Sequence, residues 1–406
     1  MELKTEHNDI QQPTETSPEN VVSPDPGTQS EELQRERVSI IVNIILVSFG
    51  CMLQFTAVYG TYAIQSTIHI ENNLGKISLC CHYVAAAISS ITLSTAFVRR
   101  FGCKSTIVGS IVTYIPYGFS QFYATPYTII PAGIFCGLGT GPLWVGVNTY
   151  LVVMSRAYSR LVNGDFNKII WHSFGLFFMI SSCSRIIGYA ILVGIGTSKP
   201  INVNSSVNLS GICGANFITI EKSMQVINLK RPQEKELYVL HGIYITFVVG
   251  ACLTIWCFLD SPQRAISSIS TGWLMNIKGG SPIYFTTSVL QFALLMYLIF
   301  WCPASSTDIP IYFVVSGLWG ICNGSMLVSI NALYGILFPL NLEAAYSNSR
   351  LFEAIGFALG FGYSPFLNIR IKLGILIAML TIAIGGFIDT EIRFRKENKN
   401  IRSDSN

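Results

Sequence analysis

The sequence predicts an all-α polytopic membrane protein, a bundle of about ten membrane-spanning helices. Half of the 406 residues are hydrophobic and only 12% are charged, against about 25% charged in soluble domains. The apolar residues are gathered into runs of about 20, the length that crosses a bilayer as a helix. Basic residues collect in alternate connections between the runs, the bias that orients membrane proteins. The net charge of +4 is small and no basic cluster points to nucleic acid.

Residues 1–37 hold nine acidic side chains against three basic ones and are rich in Pro, Ser and Thr. Such a segment cannot bury a core, so it reads as a disordered cytoplasmic tail. Ten spans follow, near 39–62, 77–98, 105–123, 127–154, 170–196, 237–259, 283–302, 311–338, 351–369 and 373–388. The first six make an N-terminal bundle over 38–259, 260–282 is a cytoplasmic linker, and 283–390 holds four more helices. A basic tail, 391–406, ends the chain.

Arg99, Arg100 and Lys104 follow the second span, Arg156, Arg160 and Lys168 the fourth, and Arg393, Arg395 and Lys396 the tenth. All fall on one side, so both termini are expected in the cytoplasm of a plasma-membrane or endomembrane protein. The long connection 197–236 then lies outside and carries two glycosylation sequons, at Asn204 and Asn208. Most of the eleven cysteines sit in apolar runs, where they pack as small residues. No Cys/His spacing suggests a metal, no cofactor is implied, and no Ser/His/Asp or paired-carboxylate set suggests an enzyme.

Four features carry candidate chemistry. The fourth span holds Gly137, Gly139, Gly141, Pro142 and Trp144, where small residues let helices approach and proline frees a carbonyl and kinks the helix. Packing accounts for that pattern; a midplane cavity is the functional alternative. Arg185 is the basic residue placed deepest in any span, so it must face the bundle interior or a wet cavity. Glu353, near the start of the ninth span, either caps its helix or marks a site. Arg350, three residues earlier on the same face, offers it a partner, and Arg185 is a second candidate. His82, His172 and His241 read as packing residues near span ends.

Several stretches together carry a resemblance. Residues 47–50 (VSFG), 100–108 (RFGCKSTIV), 137–144 (GLGTGPLW), 316–320 (SGLWG), 331–338 (NALYGILF, opening with Asn331) and 343–357 look like the Unc-93-like family, a branch of the major facilitator superfamily. The resemblance runs from Val38 to Ile388. The basic turn Arg99, Arg100, Gly102, Lys104 is similar to the loop signature of that superfamily, with Arg99 where an acidic residue is usual. The resemblance implies two six-helix bundles and a non-enzymatic role as a regulator of another membrane protein. The implied partner is a two-pore potassium channel. A small-solute transporter or a trafficking escort for receptors are the alternatives. The family pattern has twelve spans against ten here; the seventh and eighth have no counterpart.

Overall fold

The computed structural model describes residues 26–68, 73–195, 234–260, 281–300 and 309–403. The glycosylation sequons at Asn204 and Asn208, residues 1–25 of the tail and 261–280 of the linker lie outside them. Every regular element among the described residues is a helix: α1 (Pro26–Ile68), α2 (Leu74–Thr92), α3 (Ser94–Val112), α4 (Tyr114–Ser120), α5 (Pro126–Leu161), α6 (Phe166–Gly194), α7 (Glu234–Phe258), α8 (Ser281–Phe300), α9 (Ile309–Leu337), α10 (Leu342–Tyr363) and α11 (Ile369–Ser403). Seven stretches of these helices are long and apolar enough to cross a membrane. They lie in α1, α2, α5, α6, α7, α9 and α11. Residues 284–300 form a shorter apolar helix in α8.

The remaining two expected spans fall short for physical reasons. The third is divided at Thr113 between α3 and α4. Pro116 has no N–H to give the carbonyl four residues earlier, and Thr113 instead bonds Ser110 O at 3.2 Å, a tightened turn. The ninth is α10, diluted by Glu343, Arg350 and Glu353.

Three expected boundaries move. Helix α1 starts at Pro26, so part of the tail expected to be disordered is helical. Leu33, Gln34, Arg35, Glu36 and Arg37 are helix-compatible and extend a nucleus the apolar run supplies. Helix α11 likewise runs to Ser403, well into the expected tail. Helix α10 begins at Leu342 rather than near residue 351, because Tyr346 to Ser349 are polar without being helix breakers.

The chain reverses between the second and third spans inside α3, at Gly102, whose φ of 76° and ψ of 167° leave the helical region. That backbone suits glycine, since a Cβ is strained there. The basic turn read from the sequence is therefore this one residue with Arg99, Arg100 and Lys104 around it.

Helix α5 is the axis of the first body. It packs on α2 and α3, and α1 packs between α6 and α7. Val47, Ile107, Leu143, Tyr150, Phe174 and Ile255 are fully or almost fully buried in the resulting core. Burial of each large side chain is worth roughly 1.5–3 kcal/mol. Close approach is set by glycine. A Cβ on Gly137 would meet the His82 carbonyl oxygen, one on Gly139 the Thr113 hydroxyl, and one on Gly141 the Ser89 hydroxyl at 2.6 Å. Helix α5 runs unbroken through Pro142, so the interruption expected there is absorbed within a continuous helix. The later helices lean on this body: α10 against α2, and α9 against α6. Helix α8 sits between α9 and α11, with Tyr284 stacked on Phe387 at 4.0 Å between centroids.

Candidate functional site

Between the first body and helices α9 and α10 lies a cavity of about 510 Å³, within the range of small-molecule sites. Its walls come from α1, α2, α4, α5, α6, α9 and α10. Aromatic side chains predominate, and two arginines, one glutamate and one histidine interrupt them.

Arg350 occupies one wall. It is 5% exposed, a position a bare cation cannot hold in a membrane protein's interior. Its Nη1 pairs with the Glu353 carboxylate one turn on. Its Nη2 donates to Asn331 Oδ1 at 2.9 Å, and its guanidinium lies 4.5 Å from the Trp144 ring centroid. The amide of Asn331 is thereby shared, because its Oδ1 also accepts from Asn148 Nδ2 at 2.8 Å. Asn331 Nδ2 donates to Leu327 O at 2.8 Å, and its own carbonyl accepts from the Tyr346 hydroxyl at 2.7 Å. Helices α5, α9 and α10 are tied at one point by these bonds. Trp144 is held in turn by Phe55, stacked at 4.9 Å.

Glu353 does not cap its helix. It lies eleven residues beyond Leu342, roughly 16 Å along the axis at 1.5 Å per residue, and Glu343 takes the first-turn position instead. Nor does it pair with Arg185: among the described residues, its ion pair is with Arg350.

Arg185 stands on a different wall, on α6, exposed to the cavity. Its guanidinium lies 4.8 Å from the Tyr59 ring centroid. No ion pair joins Arg185 to a carboxylate among the described residues. Arg185 thus lines the cavity, without Glu353 as its ionic partner.

His82 reads from sequence as packing, but it is cavity-lining and fully wired. Its Nδ1 lies 3.3 Å from Gly133 O, which only accepts, so Nδ1 carries the proton. Its Nε2 then accepts from the Tyr62 hydroxyl at 3.1 Å. Tyr114 donates to Thr140 at 2.7 Å, and Thr140 donates to Cys136 O at 3.2 Å. Every donor in the chain of bonds is placed with histidine neutral. The sequence carries no signal for it, since Tyr62, Gly133 and Thr140 come from other elements. Tyr83 completes this wall, stacked on Phe357 at 4.7 Å and on Phe361 at 5.6 Å.

Further polar contacts join α3 and α5 to α10 and to the segment after α9. Arg156 Nη1 donates to Pro339 O at 2.9 Å, and Thr95 and Ser347 hydroxyls meet at 2.9 Å. Arg99 lies 3.9 Å from Glu343. Arg99, which occupies a position usually acidic in the resembled motif, thus finds its carboxylate on α10. Arg100 approaches the ring of Phe101 at 6.0 Å. Among the described residues no group of three or more His, Cys, Asp or Glu side chains is arranged to hold a metal ion.

No protein-family model matches the sequence. Individual relatives do. The chain is 29% identical over 428 residues to protein unc-93 homolog A of Xenopus laevis, covering 86% of this chain and 93% of that protein. It is 27% identical to the Homo sapiens homolog A, over 84% and 91%. It is 24% identical to the putative potassium channel regulatory protein unc-93 of Caenorhabditis elegans, covering 90% of this chain and 63% of that longer protein. Among solved structures, the E. coli fucose:proton symporter FucP superposes with a TM-score of 0.48 at 14% identity, over 85% of this chain and 98% of that one. In the frog alignment, 86% of 406 residues is about 349, which occupy 428 positions, so about 79 positions are filled by the relative alone. Along most of its length this all-α membrane chain is thus similar to the unc-93 homologs.

Proposed function

We propose that this chain is a non-enzymatic, multispan regulator that assembles with a potassium channel of the two-pore type, with both termini cytoplasmic and the segment 197–236 outside and glycosylated at Asn204 and Asn208. One observation carries the reading: near-whole-chain similarity to unc-93 homologs, one of which bears the name of a potassium channel regulatory protein. The roughly 79 positions filled by the relative alone are consistent in number with two further helices, as in a second half that lacks the seventh and eighth helices of the family pattern. The assembly residues are Arg350, Glu353 and Asn331: Asn331 and Arg350 meet Asn148 and Trp144 of the first half, and Glu353 pairs with Arg350. The test is crosslinked co-purification of the tagged chain from its own cells. A potassium channel in stoichiometric amount supports the reading, and recovery of the chain alone refutes it.

A facilitator-type transporter is the second reading, favoured by the cavity between the two halves and by Arg185 on its wall. Saturable solute flux in proteoliposomes, abolished by Arg185→Ala, would establish it.

A further inference from the structure

We propose that the central cavity is a binding site for a small aromatic organic anion, and that Arg185 supplies the charge that selects it. Charge bookkeeping comes first. Two guanidinium groups and one carboxylate line the cavity. Arg350 and Glu353 neutralise each other in direct contact, while Asn331 takes Nη2 and Trp144 lies under the guanidinium. A neutral His82 satisfies both ring nitrogens, Nδ1–H donating to Gly133 O and Nε2 accepting from Tyr62, and a ring 1% exposed is held more cheaply uncharged. One positive charge remains, on Arg185. A cation enclosed among helices of a membrane protein is costly unless something answers it, and a guanidinium fork matches a carboxylate in two parallel bonds.

The rest of the wall sets the remaining chemistry. Tyr59 lies against Arg185, and Tyr83, Trp144, Phe178 and Phe357 line the same cavity. Their faces suit a flat apolar body of one or two rings, stacked or edge-on. A volume of about 510 Å³ is ample for such a body with a single carboxylate. A cationic ligand is disfavoured by Arg185, because Glu353 is already committed. This ligand site is independent of the channel-regulator reading, and its test involves no channel.

The experiment uses the full chain in lipid nanodiscs and isothermal calorimetry with three probes of one shape: 2-naphthoate, 2-naphthalenemethanol and 2-naphthylmethylamine. The expected result is naphthoate binding at least about tenfold tighter than the alcohol, with the amine weakest. Arg185→Gln brings naphthoate down to the level of the alcohol and leaves the alcohol unchanged, while Arg185→Lys keeps the preference for the anion. Ser182→Asp adds a carboxylate to the cavity wall three residues before Arg185. It therefore cancels the preference by a second route should the first variant misfold. The proposal is overturned if no probe binds, if the alcohol binds as tightly as naphthoate, or if a folded Arg185→Gln or Ser182→Asp keeps the full preference.

Discussion

The two halves of this molecule are held together in different ways. In the first, α1 to α7 close around α5, and 56% of the α5 apolar window is buried. In the second, only 6% of the window in α11 is buried, although it is the more apolar of the two. The first half is stabilised by its own packing, down to glycines placed where any side chain would collide. The second rests on the first through α9 and α10, by polar ties and by the stacking of Tyr83 on Phe357 and Phe361, and α11 leaves most of its apolar surface to lipid, a solvent that exerts no hydrophobic force on it. Sequence hydropathy records the two halves as alike, because it measures how apolar a helix is and not what covers it.

That contrast can be broken most severely from within the first half. Gly139→Val or Gly137→Val drives a β-branched side chain into backbone and hydroxyl oxygens of α2 and α3. We expect a loss of roughly 3 kcal/mol or more, read as loss of monodisperse protein on size-exclusion chromatography. Arg350→Gln comes next. It removes the charge-assisted bonds to Glu353 and Asn331 and leaves an exposed carboxylate, at about 2 kcal/mol. Limited proteolysis should then release α9 to α11 while α1 to α7 resist. The double variant Arg350→Gln/Glu353→Gln should recover part of the loss, which distinguishes a charge effect from a packing effect.

Smaller changes sharpen the comparison. Arg156→Ala removes the bond to Pro339 O and should cost about 1 kcal/mol in thermal unfolding. Arg185→Gln should shift stability by no more than about 0.5 kcal/mol, since Arg185 is exposed toward the cavity and has no ion pair among the described residues.

Much of the candidate site was legible in the residue pattern, and its gaps have physical causes. Arg350 and Glu353 are three apart on a helix, so their pairing follows from local geometry. The glycines of α5 announce close approach in the same local way. Glu353 was placed at the helix end because polar residues around Ser349 resemble a turn to any hydropathy reading, although none of them breaks a helix. His82, Asn148 and Tyr346 were missed because their partners lie on elements far away in the chain: Tyr62 and Gly133 for the first, Asn331 for the other two. No periodicity encodes such a meeting. Arg185 stands out in the sequence as a cation deep in a span, but that no carboxylate among the described residues pairs with it is visible only once the helices are assembled.

The central claim is that this chain acts on another membrane protein rather than moving solutes itself. The most direct test is whole-cell recording from a two-pore potassium channel expressed with the chain, with its Arg350→Gln variant, or alone. The account predicts a channel current altered by the wild-type chain and restored toward the channel-alone level by the variant at equal surface expression. An unchanged current, together with saturable solute flux by the purified chain in proteoliposomes, would contradict it.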